Sequence, residues 1–123
     1  MPNPYGAPEI SVKEVRAKQE GGEAFILVDV REPNELELAS LPEEAFIGMP
    51  LSDLRERRLE AVPEALNENK EAEVVVFCHK GLRSAQVTVF LRQQGWKNAV
   101  SMAGGIDSWA EEIDGSVGRY KSM

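Results

Sequence analysis

Two short apolar runs constrain this chain more than any other feature: one from Phe25 to Val28 and one from Val74 to Phe77. A strand wetted on one face alternates apolar and polar side chains, whereas one covered on both faces stays apolar along its length. Both runs are of the second kind. The segments around them carry helix signals. Ser11-Val12-Lys13-Glu14 reads as a capping box that opens a helix, and Gly21-Gly22 ends it. The spacing predicts a short helical turn from Pro33 to Ala39, with Leu36 and Leu38 packed inward, and a brief strand at Phe46-Ile47. Ser52 is expected to cap a helix running to about Leu59, and Pro63 to take the first position of another ending near Asn69. A helix from Ser84 to Gln94 closes at Gly95, and Ala99-Val100 makes a short strand. Ile106, Trp109, Ala110 and Ile113 fall at i, i+3, i+4 and i+7, one apolar helix face. Strands alternating with helices predict an α/β fold with a parallel sheet covered on both sides.

The second run leads directly into Cys78-His79-Lys80-Gly81-Leu82-Arg83-Ser84, which holds the chain's only cysteine and only histidine. A thiol acts as a nucleophile in its thiolate form, which helix N-termini and nearby cations favour. Backbone N–H groups of a tight loop entering a helix converge on an anion. Lys80 and Arg83 add positive charge, and Gly81 permits angles that other residues avoid. Open α/β sheets place their chemistry at the carboxyl ends of their strands, where this cysteine falls. The competing explanation is that an unpaired cysteine is most often a small buried hydrophobe. Core packing does not call for two cations, a glycine and a helix start within six residues, so Cys78 is the candidate nucleophile. One histidine rules out a His-based metal site from this chain alone, and surface or loop packing accounts for His79 as well as proton transfer does.

At 123 residues, 42% hydrophobic and 28% charged, the chain is expected to form a single domain over residues 1–123. Residues 1–8 read as an extended lead-in and residues 114–123 as a C-terminal tail. A lone cysteine excludes an intrachain disulfide. No apolar stretch approaches the roughly 20 residues of a membrane span, and no secretory signal opens the chain, so a soluble cytoplasmic protein with no membrane partner is expected. A net charge of −7 argues against nucleic acid, which requires clustered Lys and Arg.

The cysteine loop resembles the active-site loop of the single-domain rhodaneses, sulfurtransferases that carry sulfur as a cysteine persulfide. Three further stretches resemble the same family: Asp29-Val30-Arg31-Glu32 after the first run, Gly95-Trp96-Lys97-Asn98-Ala99, and Met102-Ala103-Gly104-Gly105-Ile106-Asp107-Ser108-Trp109. The likeness runs from about Pro8 to Ile113. It implies a rhodanese-like fold with a central parallel sheet of about five strands and helices on both faces. It also implies a catalytic Cys78, an anion-binding loop from His79 through Ser84, and no cofactor beyond the covalent persulfide and no metal. The implied donors are thiosulfate or a cysteine-desulfurase persulfide, and the implied acceptors a small thiol, cyanide or a sulfur-carrier protein. Asp29 and Arg31 either shape the pocket or form an ion pair that orders neighbouring loops, and the second is favoured because such pairs commonly mimic sites. Trp109 reads as core, Gly104-Gly105 as turn geometry, and Trp96 as partly exposed and without a role.

Two features separate the chain from its relations. Ser40 stands where many rhodaneses carry histidine, and Glu43-Glu44 replaces a glycine step with one extra residue, which alters the pocket rim. The stretch from Trp109 to Tyr120 resembles the end of rhodanese domains fused to enzymes that activate ubiquitin-like carriers. The rival readings are a rhodanese-fold phosphatase or arsenate reductase, and a non-catalytic interaction module. Phosphatases of this fold use C-x5-R, whereas four residues separate Cys78 from Arg83, a tighter cradle suited to a sulfur atom. Interaction modules usually lack the cysteine.

Overall fold

The computed structural model describes residues 3–120, so Met1 and Pro2 of the lead-in and residues 121–123 of the tail lie outside it. In chain order the elements are β1 (Glu9–Ile10), α1 (Val12–Glu20), β2 (Ile26–Asp29), β3 (Ile47–Gly48), α2 (Leu51–Arg57), α3 (Glu64–Asn67), β4 (Val74–Phe77), α4 (Leu82–Gln93), β5 (Ala99–Met102) and α5 (Gly105–Glu112). The five strands form one parallel sheet in the order β1-β5-β4-β2-β3. The two apolar runs are neighbours inside it, with Val28 opposite Val76 and Asp29 opposite Phe77.

Side chains alternate between the faces of a strand, and the sheet separates two cores accordingly. Val74, Val76 and Cys78 pack with Leu51, Leu54, Leu66, Val87, Leu91 and Trp96. Val75 and Phe77 pack on the opposite side with Val12, Val15, Met102, Ile106 and Trp109. This parity has a chemical consequence. Cys78 continues the Val74/Val76 row, so its sulfur is delivered to the face covered by α4, the helix that follows it in the chain.

Most boundaries agree with the sequence. Ser11 and Glu14 form the reciprocal capping box on α1, and Ile106, Trp109 and Ala110 are buried. The differences have local causes. β1 has no signal in the sequence because two residues carry no periodicity; it exists because β5 pairs with it, Ser101 N–H donating to the Pro8 carbonyl at 2.9 Å and Ala103 N–H to the Ile10 carbonyl at 2.8 Å. Ser52 does not cap α2: Pro50 holds that position, and the Ser52 hydroxyl donates instead to Glu32. Pro63 likewise sits one position before α3. The turn at Pro33–Glu37 forms as a 3₁₀ helix, but Leu36 and Leu38 are 37% and 47% exposed, not packed inward. A 3₁₀ turn repeats every three residues, so the two leucines do not share a face. Trp96 is fully buried, not partly exposed, and its indole N–H donates to the Leu66 carbonyl at 2.9 Å. α4 begins at Leu82, two residues earlier than expected, because Gly81 caps it with φ 102°. No helix among the described residues is long and apolar enough to cross a membrane.

Candidate functional site

The loop between β4 and α4 folds back over its own cysteine. Gly81 N–H donates to Cys78 Sγ at 3.1 Å and Ser84 N–H at 3.3 Å. The thiol lies 3.4 Å from Ser84 Oγ, to which it donates, and Ser84 Oγ shares a 2.8 Å hydrogen bond with Ser101 Oγ on β5. Gly81 has a left-handed backbone, and a Cβ there would come within 3.1 Å of the Gly104 nitrogen. Only glycine takes both that angle and that approach without strain. The loop is held from below by α5. Ile106 N–H donates to the Cys78 carbonyl at 2.9 Å and Asp107 N–H to the His79 carbonyl at 3.0 Å. A Cβ on Gly105 would collide with both carbonyl oxygens. The glycine pair read as turn geometry therefore brings one helix start against the cysteine loop. Cys78 itself is 1% exposed.

The seven residues of the motif go to different tasks. Cys78, Gly81 and Ser84 converge on the sulfur. Lys80 is exposed and makes no ion pair among the described residues, and Leu82 is 55% exposed. Arg83 does not point a free charge at the thiol. Its two terminal nitrogens grip Glu35 at 2.7 and 2.8 Å. That clamp, with help from Glu32 N–H and the Tyr120 hydroxyl, overcomes burial and holds the Glu35 carboxyl down to about 2. His79 stacks on Tyr120, with centroids 3.5 Å apart and planes 6° from parallel. Burial pushes the His79 imidazole below its ordinary value, against the upward pull of Asp107 4.0 Å away.

Asp29 and Arg31 form a buried ion pair with contacts at 2.8, 3.0 and 3.2 Å. The rest of the Arg31 guanidinium ties down the following loop, donating to the Ala39 carbonyl at 2.8 Å, the Glu35 carbonyl at 3.3 Å and the Tyr120 hydroxyl at 3.1 Å. Ser40, at the altered rim, donates its hydroxyl to the Leu41 carbonyl and its N–H receives no pocket role, bonding Val117.

Four participants escaped the sequence reading: Ser101, Glu35, Asp107 and Tyr120. A serine inside the apolar stretch Ala99–Met102 was the available signal for Ser101, since a buried hydroxyl requires a partner. The others are surface-type residues whose partners lie 48 and more positions away in the chain for Glu35 and Tyr120. Among the described residues no group of three or more His, Cys, Asp or Glu side chains is placed to hold a metal.

A family model described as a rhodanese-like domain matches residues 11–112. A sulfurtransferase of Allochromatium vinosum is 30% identical over 102 residues, covering 83% of this chain and 87% of that protein. The human single-domain sulfurtransferase TSTD1 superposes with a TM-score of 0.69 at 30% identity, covering 87% of this chain and 98% of that one. A maize protein named adenylyltransferase and sulfurtransferase MOCS3-2 is 33% identical over 106 residues, 85% of this chain but 21% of that protein. The chain likewise spans 37% and 56% of the length of two other curated relatives. A five-stranded parallel sheet, a cysteine loop at its carboxyl edge and a family match over most of the sequence agree with one another, and the chain belongs to the rhodanese-like sulfurtransferase family.

Proposed function

We propose that this chain moves sulfane sulfur through a persulfide on Cys78. The observation that carries the reading is the convergence of the Gly81 and Ser84 N–H groups on Sγ. With thiosulfate as donor, the Cys78 thiolate attacks the outer sulfur. A new S–S bond forms at Cys78, the bond to the sulfonate sulfur breaks, and sulfite leaves with the electron pair. The terminal sulfur of the persulfide now carries the negative charge. Fixed N–H donors beside it stabilise that charge without reorganising. An acceptor such as cyanide then attacks the terminal sulfur, leaves as thiocyanate and restores the thiolate. Because Cys78 is 1% exposed, the donor reaches it only by displacing part of the loop's rim.

Phosphate-ester chemistry is disfavoured by the same geometry. A phosphate-binding loop offers its arginine fork to the oxyanion, and here that fork is engaged by Glu35. A purely non-catalytic role leaves the hydrogen-bonded thiol without a purpose.

The acceptor reading extends to a ubiquitin-like sulfur carrier, supported by the maize relative whose name joins adenylyltransferase to sulfurtransferase; a cysteine-desulfurase persulfide is the corresponding protein donor. Intact mass spectrometry after exposure to thiosulfate tests the core reading. A gain of one sulfur atom that Cys78→Ala abolishes is expected, and no gain in the unaltered protein refutes it. Failure to convert a carrier's adenylated C-terminus to the thiocarboxylate removes the carrier extension alone.

A further inference from the structure

One side chain outside the cysteine motif is tied to both ends of the loop, directly at one and through a carboxylate at the other. The Tyr120 ring covers His79, the residue after the nucleophile. Its hydroxyl donates to Glu35 Oε1 at 2.8 Å, and Glu35 clamps Arg83, the residue that closes the motif. The same hydroxyl accepts from Arg31 at 3.1 Å. Tyr120 is delivered there by a tail fixed at several points. Val117 accepts from Ser40 N–H at 2.9 Å, and Arg119 grips Asp107 on α5 at 3.0 and 3.1 Å. Asp107 in turn holds the His79 carbonyl through its own N–H. The tail therefore binds the loop through a stack, a carboxylate and a shared helix start.

We infer that Tyr120 is a positioning residue for Cys78: by joining His79 to the Glu35–Arg83 clamp, it holds the loop closed over the sulfur and keeps the Gly81 and Ser84 donors aimed at it. The inference rests on Cys78 as the reacting group. Its contribution is separable into two parts. The ring supplies the stack on His79, and the hydroxyl supplies the link to Glu35 and Arg31. Local opening of such a loop is governed by the few interactions that bridge it, so removing one loosens the whole cover.

Tyr120→Phe keeps the ring and removes the hydroxyl; Tyr120→Ala removes both. The rate of Cys78 alkylation by iodoacetamide reads the closure of the loop. It is expected to rise about fivefold in Tyr120→Phe, the scale of one lost hydrogen bond, and further in Tyr120→Ala. His79 is the sole histidine, so its NMR titration is unambiguous and reports the stack. In Tyr120→Ala its midpoint should rise toward 6.5 as burial is relieved, with Asp107, Glu35, Lys80 and Arg83 still facing it; in Tyr120→Phe it should stay. A structural role alone would lower the unfolding midpoint without this division between ring and hydroxyl. Single-turnover sulfur loading from thiosulfate, followed on the same variants, should slow even as alkylation quickens, because the Gly81 and Ser84 donors are no longer held on the sulfur. Unchanged alkylation and an unchanged His79 titration in both variants overturn the inference. Neither readout needs sulfur transfer, so a protein that never loads sulfur refutes the proposed function and leaves this test legible.

Discussion

β2 and β4 lie side by side, run the same way and are apolar over most of their length, yet their carboxyl ends are built from opposite materials. β4 ends in a neutral cradle: a thiol, two backbone N–H groups and two serine hydroxyls. β2 ends in charge, with Asp29 and Arg31 almost wholly buried against each other. At β2 every partner is supplied, so the charges are locked and order the loop behind them. At β4 the sulfur accepts from donors that gain strength only when it carries charge. Two charged-looking motifs at one sheet edge thus separate by what remains to be satisfied. A saturated buried ion pair is a strut, and a thiol among fixed dipoles is the candidate site.

The largest effect expected from this contrast falls on the cradle. Cys78→Ala should abolish thiosulfate:cyanide turnover while leaving the protein folded; residual turnover at the unaltered rate would break the contrast outright. On the strut, Asp29→Ala leaves the Arg31 guanidinium buried and uncompensated, which costs about 3–5 kcal/mol. Urea unfolding reads it, and a loss below about 1 kcal/mol would show that the pair is not load-carrying in the folded state. The link between the regions is sensitive to acid. Glu35 titrates at about 2 in the fold against 4.5 in its ordinary state. Its folded value is depressed, so its stabilisation is complete above pH 4.5 and lost as pH falls toward 2. Because the Glu35–Arg83 pair is only partly buried, solvent screening cuts its contribution to about 1–2 kcal/mol. In Glu35→Gln the acid slope between those values should flatten; an unchanged slope would place acid sensitivity elsewhere. The smallest effect belongs to Lys80, which is exposed and touches no sulfur. Lys80→Ala should lower turnover by only about two- to fivefold, a surface electrostatic effect, that shrinks with added salt. Loss equal to that of Cys78→Ala would move Lys80 into the cradle.

Legibility followed the range of the interaction. Ser11 and Glu14, the two apolar runs and the face of α5 were readable because each depends on residues a turn or a strand apart. The cysteine and its glycine were readable for the same reason, since loop, thiol and helix start are contiguous. Ser52 misled because a capping residue competes with whatever else its hydroxyl can reach, and Glu32, distant in sequence, was closer in space. Leu36 and Leu38 misled because hydrophobicity does not reveal which face of a 3₁₀ turn meets the core. Proximity in sequence places Arg83 by the thiol, but Glu35 engages its fork across the fold.

Local chemistry by itself settled that the chain is α/β, that two strands are buried on both faces, and that Cys78 enters a helix through a glycine turn. Those outcomes need only dihedral preferences and periodicity, which act over a few residues. The partners of Arg83, the burial of Trp96, the Ser84–Ser101 bond and the seat of Tyr120 over His79 were decided by the sheet order, which brings distant segments together. Charge and hydrogen bonding depend on distance in space, and no spacing along the chain encodes that distance until the strands have paired.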